Sequence, residues 1–77
     1  MSKITETKSP TPHVIIGRRI AELRAERGMT QQDFAAASGL RQEQLSRIER
    51  GKYNIGIDLL ARIGDALNMD IDFVVRP

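Results

Sequence analysis

The chain has no cysteine, a single histidine and no apolar run longer than a few residues. Without cysteine there is neither a disulfide nor a thiolate metal centre to supplement packing, and the absence fits a reducing compartment. Seventy-seven residues then bury only about 60% of the surface that the unfolded chain exposes, enough for one small domain with a thin core. No stretch is long and apolar enough to span a membrane, and "MSKITETKSPTP" lacks the apolar segment of a signal peptide. The expectation is a soluble, cytoplasmic protein with no membrane partner. One histidine, no glycine-rich phosphate loop and no ligand residues at metal spacing leave no catalytic residues, metal site or cofactor to assign, so an enzyme is not expected. "GIDLLARIGD" is no exception, because its glycines are too far apart and fall within a helical pattern.

The net charge of +2 is small, but it is unevenly spread. Between residues 41 and 52, Arg41, Arg47, Arg50 and Lys52 outnumber Glu43 and Glu49. Between residues 58 and 76, Asp58, Asp65, Asp70 and Asp72 outnumber two arginines. A basic middle and an acidic end predict that the two ends of the molecule meet different partners.

Residues 1–10 carry Ser, Thr, Lys and Pro around one large apolar residue, Ile4, and read as a flexible tail. Residues 11–68 then divide into four helical segments. Thr11-Pro12 is a cap hydroxyl followed by a first-turn proline. Ile16, Ile20 and Leu23 share a face beyond it, and Gly28 provides a left-handed stop. Thr30 caps the second segment with Asp33 three residues on, a carboxylate variant of the capping box. Phe34 and Ala35 are its core candidates, and Ala35, Ala36 and Ala37 offer room for another backbone. Gly39 ends it after about two turns, with Leu40 at the corner. In the third, Leu45 and Ile48 point inward while Glu43, Ser46, Arg47 and Arg50 point away. The fourth follows Gly56, with Ile57, Leu60, Ile63 and Leu67 as its stripe and Asn68 as its stop. The architecture predicted is all-α, a compact four-helix bundle with short connections.

Residues 69–77 break the helical pattern. "DIDFVV" alternates polar and apolar residues and is rich in β-branched side chains, which predicts a C-terminal strand. Its backbone needs a partner. "KITETK" is a poor one, so pairing with the same strand of a second copy is the simpler solution, with Ile71, Phe73 and Val75 at the dimer contact.

Two short helices joined at Gly39, within residues 31–50, form a helix-turn-helix, an arrangement that holds its second helix proud enough to enter the major groove of DNA. At this point the stretch "RIAELRAERGMTQQDFAAASGLRQEQLSRIERGKYN", followed by "LLARIGDALNM", resembles the lambda-repressor/Cro-like (XRE) helix-turn-helix family over roughly residues 13–69. The resemblance implies a bundle of that DNA-binding type and double-stranded DNA as partner. It implies that Gln31 grips a phosphate, that Gln42 reads an adenine, and that Arg24 and Glu49 form a structural ion pair between the first and third helices. Family members generally place Ser or Thr where Arg41 stands. Arginine cannot cap, so about 1 kcal/mol of local stabilisation is forgone.

The chemistry of the outward side chains agrees with these roles. Gln42 can pair bidentately with adenine N6/N7, Arg47 can fork onto guanine O6/N7 or hold a phosphate, and Glu43 can accept from cytosine N4. Ser46 shares that outward side. Arg41, Arg50, Lys52, Tyr53 and Asn54 flank the helix and suit phosphate contacts, which position the protein without reading sequence. His13 reads as plain surface. The function expected is a sequence-specific DNA-binding regulator, a homodimeric repressor on a palindromic operator with the recognition helix at about 41–50. The alternative comes from the similarity of the "MDIDFVVRP" ending to HipB-type antitoxins. In that reading the acidic end, Asp58 to Asp72, faces a basic toxin partner and DNA binding is autoregulatory.

Overall fold

The computed structural model describes residues 10–77. The expected N-terminal tail, residue 10 excepted, and the weak strand candidate "KITETK" lie outside the described residues. Thr11 and Pro12 start the first helix as anticipated. The Thr11 hydroxyl accepts from the Val14 N–H at 3.4 Å, Pro12 occupies the first turn, and α1 runs Pro12–Glu26. Thr30 accepts from the Asp33 N–H at 3.0 Å and opens α2, Gln31–Ser38. Gly39 then adopts φ 71°, ψ 31°, a left-handed conformation that costs glycine little. This lets the Leu40 N–H turn back to the Ala35 carbonyl at 2.8 Å. Only three residues, Gly39 to Arg41, separate α2 from α3, Gln42–Glu49. Gly56 precedes α4, Ile57–Leu67, which stops at left-handed Asn68.

The core sits where the four helices converge. Phe34 of α2, Leu45 and Ile48 of α3 and Ile63 of α4 are fully buried, with Ile20, Leu23, Ala35, Leu40 and Leu67 around them. Helix α3 packs against α1 and α2, and α2 against α4. One face of α3 is thus clamped while the other stays outside, which is the geometric requirement for a helix that enters a groove.

Several expectations need correction. Ile16 is 37% exposed and Ile57 68% exposed, so neither stripe reaches the core through its first member. Ile57 stands in the opening turn of α4, ahead of the buried Ile63 and Leu67. Ala36 and Ala37 are exposed, and of the alanine run only Ala35 turns inward. The close backbone approach occurs at Gly17, buried in α1, whose Cα faces the Ile48 carbonyl.

The expected C-terminal strand is absent: no strand occurs among the described residues, and those after Asn68 have no regular structure. The cause is the one that made a lone strand a problem. A strand exists by its ladder, and every regular element described is a helix. Local bonding takes over, with the Phe73 N–H donating to Asp72 Oδ1 at 2.7 Å. Ile71, Phe73 and Val75 are left in solvent, Phe73 completely so.

Candidate nucleic-acid interface

The outer side of α3 is built from the residues that its amphipathic spacing leaves over. With Leu45 and Ile48 inward, Gln42, Glu43 and Arg47 are exposed and Gln44 and Ser46 half-buried. Arg41, at the start of α3, is exposed and makes no side-chain cap, so the first N–H groups of α3 remain open. Those groups, together with Arg41, form a natural seat for an anion. A shallow groove follows α3 on this side, bounded by Arg41, Glu43, Ser46, Arg47, Arg50 and Tyr53. Three arginines against one carboxylate give it a positive potential.

The flanking residues are held from behind. Arg50 Nε donates to the Ser46 carbonyl at 3.3 Å, and the Lys52 N–H to the Arg47 carbonyl at 2.9 Å, which shapes the turn leaving α3. Gln44 Nε2 donates to the Tyr53 hydroxyl at 2.8 Å. His13 Nε2 and Asn54 Oδ1 lie 3.1 Å apart and tie the start of α1 to the same loop. His13 is exposed, as expected of a surface residue, and this contact gives it a partner as well. Residues 13 and 54 belong to separate segments, and no local pattern signals their meeting.

Behind α3 lies a carboxylate with three donors. Glu49 accepts from Arg24 Nε at 2.7 Å and Nη2 at 3.1 Å, and from Gln31 Nε2 at 2.9 Å. A further Arg24 nitrogen donates to the Met29 carbonyl at 2.8 Å. The Arg24 side chain is 18% exposed and that of Glu49 6%, so the pair is largely out of solvent. The hydrogen bond to Glu49 raises the guanidinium pKa above its ordinary range, burial opposes the rise, and the charge of Glu49 adds to it. Arg24 therefore stays charged at every pH where proteins fold. A raised cation pKa places any loss of this stabilisation above that range, not near neutrality. The Gln31 amide commits one N–H to Glu49, which leaves its second pointing elsewhere.

Among the described residues no group of three His, Asp or Glu could hold a metal ion, and no helix is long and apolar enough to cross a membrane. What the site offers is a hydrogen-bonding, positive surface along one projecting helix.

Known proteins carry the same arrangement. A helix-turn-helix family profile matches residues 20–74. The chain is 36% identical over 63 residues to y4dJ, an uncharacterized HTH-type transcriptional regulator of Sinorhizobium fredii, covering 82% of each chain. It is 33% identical over 60 residues to the immunity repressor protein of Bacillus phage phi105, covering 78% of this chain and 42% of that protein. Among solved structures, the restriction-modification controller protein C.AhdI of Aeromonas hydrophila superposes with a TM-score of 0.72 at 32% identity, covering 74% of this chain and 86% of that one. The fold, the projecting helix and these likenesses agree: the chain belongs to the XRE-type helix-turn-helix family of DNA-binding transcriptional regulators.

Proposed function

We propose that the protein is a homodimeric repressor that acts in the cytoplasm on a palindromic operator, with α3 in the major groove. The observation that carries this reading is the exposure of Gln42, Glu43 and Arg47 on a short helix whose other face is locked into the core. Gln42 reads an adenine, Arg47 a guanine and Glu43 a cytosine, each through the edge pattern that its own donors and acceptors match. Ser46 adds a hydroxyl to the same face. Arg41, Arg50, Lys52, Asn54 and the free N–H of Gln31 meet phosphates on either side. Repression is supported by the likeness to a phage immunity repressor.

Dimerisation is assigned to residues 69–77, through side chains and not through a strand within the chain. Phe73, Val74 and Val75 are between 87% and 100% exposed, with Ile71 and Met69 beside them, an apolar surface that one copy leaves uncovered. Two such copies place their α3 helices on half-sites about 10 bp apart.

Selection of bound duplexes from a random pool at about 150 mM salt tests the reading, with Gln42→Ala alongside, since phosphate contacts make affinity steeply salt-dependent. The expected result is a palindrome that relaxes at one position per half-site in the variant, by about 1–3 kcal/mol of lost discrimination. A pool that stays random for both proteins overturns the DNA reader and moves the function to a protein partner, the antitoxin class. Sedimentation of Phe73→Asp tests the dimer. The variant should be monomeric at micromolar concentration and still folded, because the Phe73 side chain is fully exposed in its own fold. A dimer that survives removes the tail from the contact.

A further inference from the structure

Glu43 and Arg47 stand four residues apart with the carboxylate N-terminal, the order that favours an ion pair along a helix. Among the described residues Arg47 nevertheless makes no ion pair. Its guanidinium carbon lies instead 6.0 Å from the centre of the Tyr53 ring, within the range where a cation is attracted to an aromatic face. That ring is not itself loose. It is half-buried, packs against the core, and its hydroxyl accepts from Gln44 Nε2 at 2.8 Å. Tyr53 therefore joins α3 to the loop that follows it at the point where Arg47 leaves the helix.

We propose that Tyr53 is a positioning residue for Arg47: the ring sets the direction of the guanidinium and thereby the base preference at the position Arg47 reads. This replaces the phosphate contact that its flanking place in the sequence suggested, and it rests on α3 being the groove helix. The physical logic lies in what each alternative does to the donors. An ion pair with Glu43 would occupy guanidinium N–H groups that a guanine needs. A ring beneath the guanidinium restrains the long side chain and takes none of its five donors. It also leaves the Glu43 carboxylate open to a cytosine N4. Rotamers removed before binding need not be lost during it, so discrimination gains from a side chain already aimed.

The experiment compares the wild type with Arg47→Ala, Tyr53→Leu and Tyr53→Phe in the same random-pool selection. Measurements of affinity against salt and of backbone-independent Arg47 Nε–H relaxation in the free proteins accompany it. Tyr53→Leu should weaken preference about two- to fivefold, at the position that Arg47→Ala relaxes and nowhere else, the size of an exposed cation–aromatic contact. The salt slope should stay that of the wild type, since no phosphate contact is lost. Tyr53→Phe keeps the ring and should keep the preference, which also guards against a leucine variant that folds poorly. In the free protein the Arg47 side chain should become more mobile in Tyr53→Leu and not in Tyr53→Phe.

The proposal is overturned if Tyr53→Leu lowers affinity evenly across all sequences with a shallower salt slope, the signature of a phosphate contact. It is equally overturned if Tyr53→Phe relaxes the position as far as Tyr53→Leu, which would give the role to the hydroxyl. A wild-type pool without enrichment sinks the groove reading instead. In that case unchanged Arg47 mobility on loss of the ring would independently sink the positioning role.

Discussion

Glu49→Ala is expected to cost about 3–5 kcal/mol, the range found when one partner of a buried ion pair is removed. Stability of a 77-residue domain is about 4–12 kcal/mol, so the variant should be partly unfolded at 25 °C, with its urea midpoint sharply lowered. The reason is the number of groups abandoned. Arg24 loses two of its acceptor contacts while remaining charged and four-fifths buried, and Gln31 loses the acceptor for its amide. A charge left buried without its partner is worse than no pair at all. The double variant Arg24→Met, Glu49→Met should therefore recover stability relative to either single change, a coupling well above 1 kcal/mol in a double-mutant cycle. A loss under about 1 kcal/mol for Glu49→Ala would assign the pair to the class of solvated surface bridges. The functional consequence is separable. Glu49 ends α3 and Gln31 begins α2, so the network fixes the angle between the two helices of the motif as well as the fold.

What was legible in the sequence was whatever is local. Thr11, Thr30, Gly39 and Asn68 mark helix ends by chemistry within four residues, and α1, α2 and α4 each start or stop at one of them, whereas α3 begins at Arg41 without a side-chain cap. Leu45 and Ile48 fall on the buried face of α3, and the side chains left over define the outer one. The pattern was less reliable where tertiary position decides. Periodicity placed Ile16 and Ile57 in line with core residues, but a helix extends past the core it covers, and its first turn is free to project into solvent. The alternation in "DIDFVV" describes a strand that would need a neighbour, and among the described residues no strand is there to pair with it. Contacts between distant segments left no trace in spacing or periodicity. His13 with Asn54, Gln31 with Glu49 and Arg47 over Tyr53 join polar residues whose spacing carries no signal. The pair Arg24–Glu49 was anticipated only through family resemblance. The orientation of the interface is therefore readable in outline, whereas the supports that hold its side chains in place come from the fold.

Gly17→Ala is the sharpest single test of how closely α1 and α3 meet, because two effects predict opposite signs. In an open helix, replacing glycine by alanine gains up to about 1 kcal/mol, since glycine surrenders the most backbone freedom. Here a Cβ on residue 17 would fall on the Ile48 carbonyl oxygen, with the carbonyl carbon and oxygen of Glu49 3.2 Å away. These are backbone atoms of the last turn of α3, so no rotamer change can relieve the contact. The Ile48 carbonyl also accepts from the Gly51 N–H at 3.0 Å, and shifting it disturbs the turn that leads to Lys52 and Tyr53. Overpacking of this kind costs about 1–3 kcal/mol or more, and backbone on both sides places this case at the upper end. A net loss near 3 kcal/mol is expected in urea unfolding followed by helical circular dichroism. Binding should suffer beyond the loss of folded protein, because a displaced α1 tilts the helix that it clamps. Affinity measured at a temperature where the variant is still folded isolates that part. A variant more stable than the parent would mean that α1 and α3 are further apart than the buried glycine implies, and that the clamp on the recognition helix comes from α2 alone.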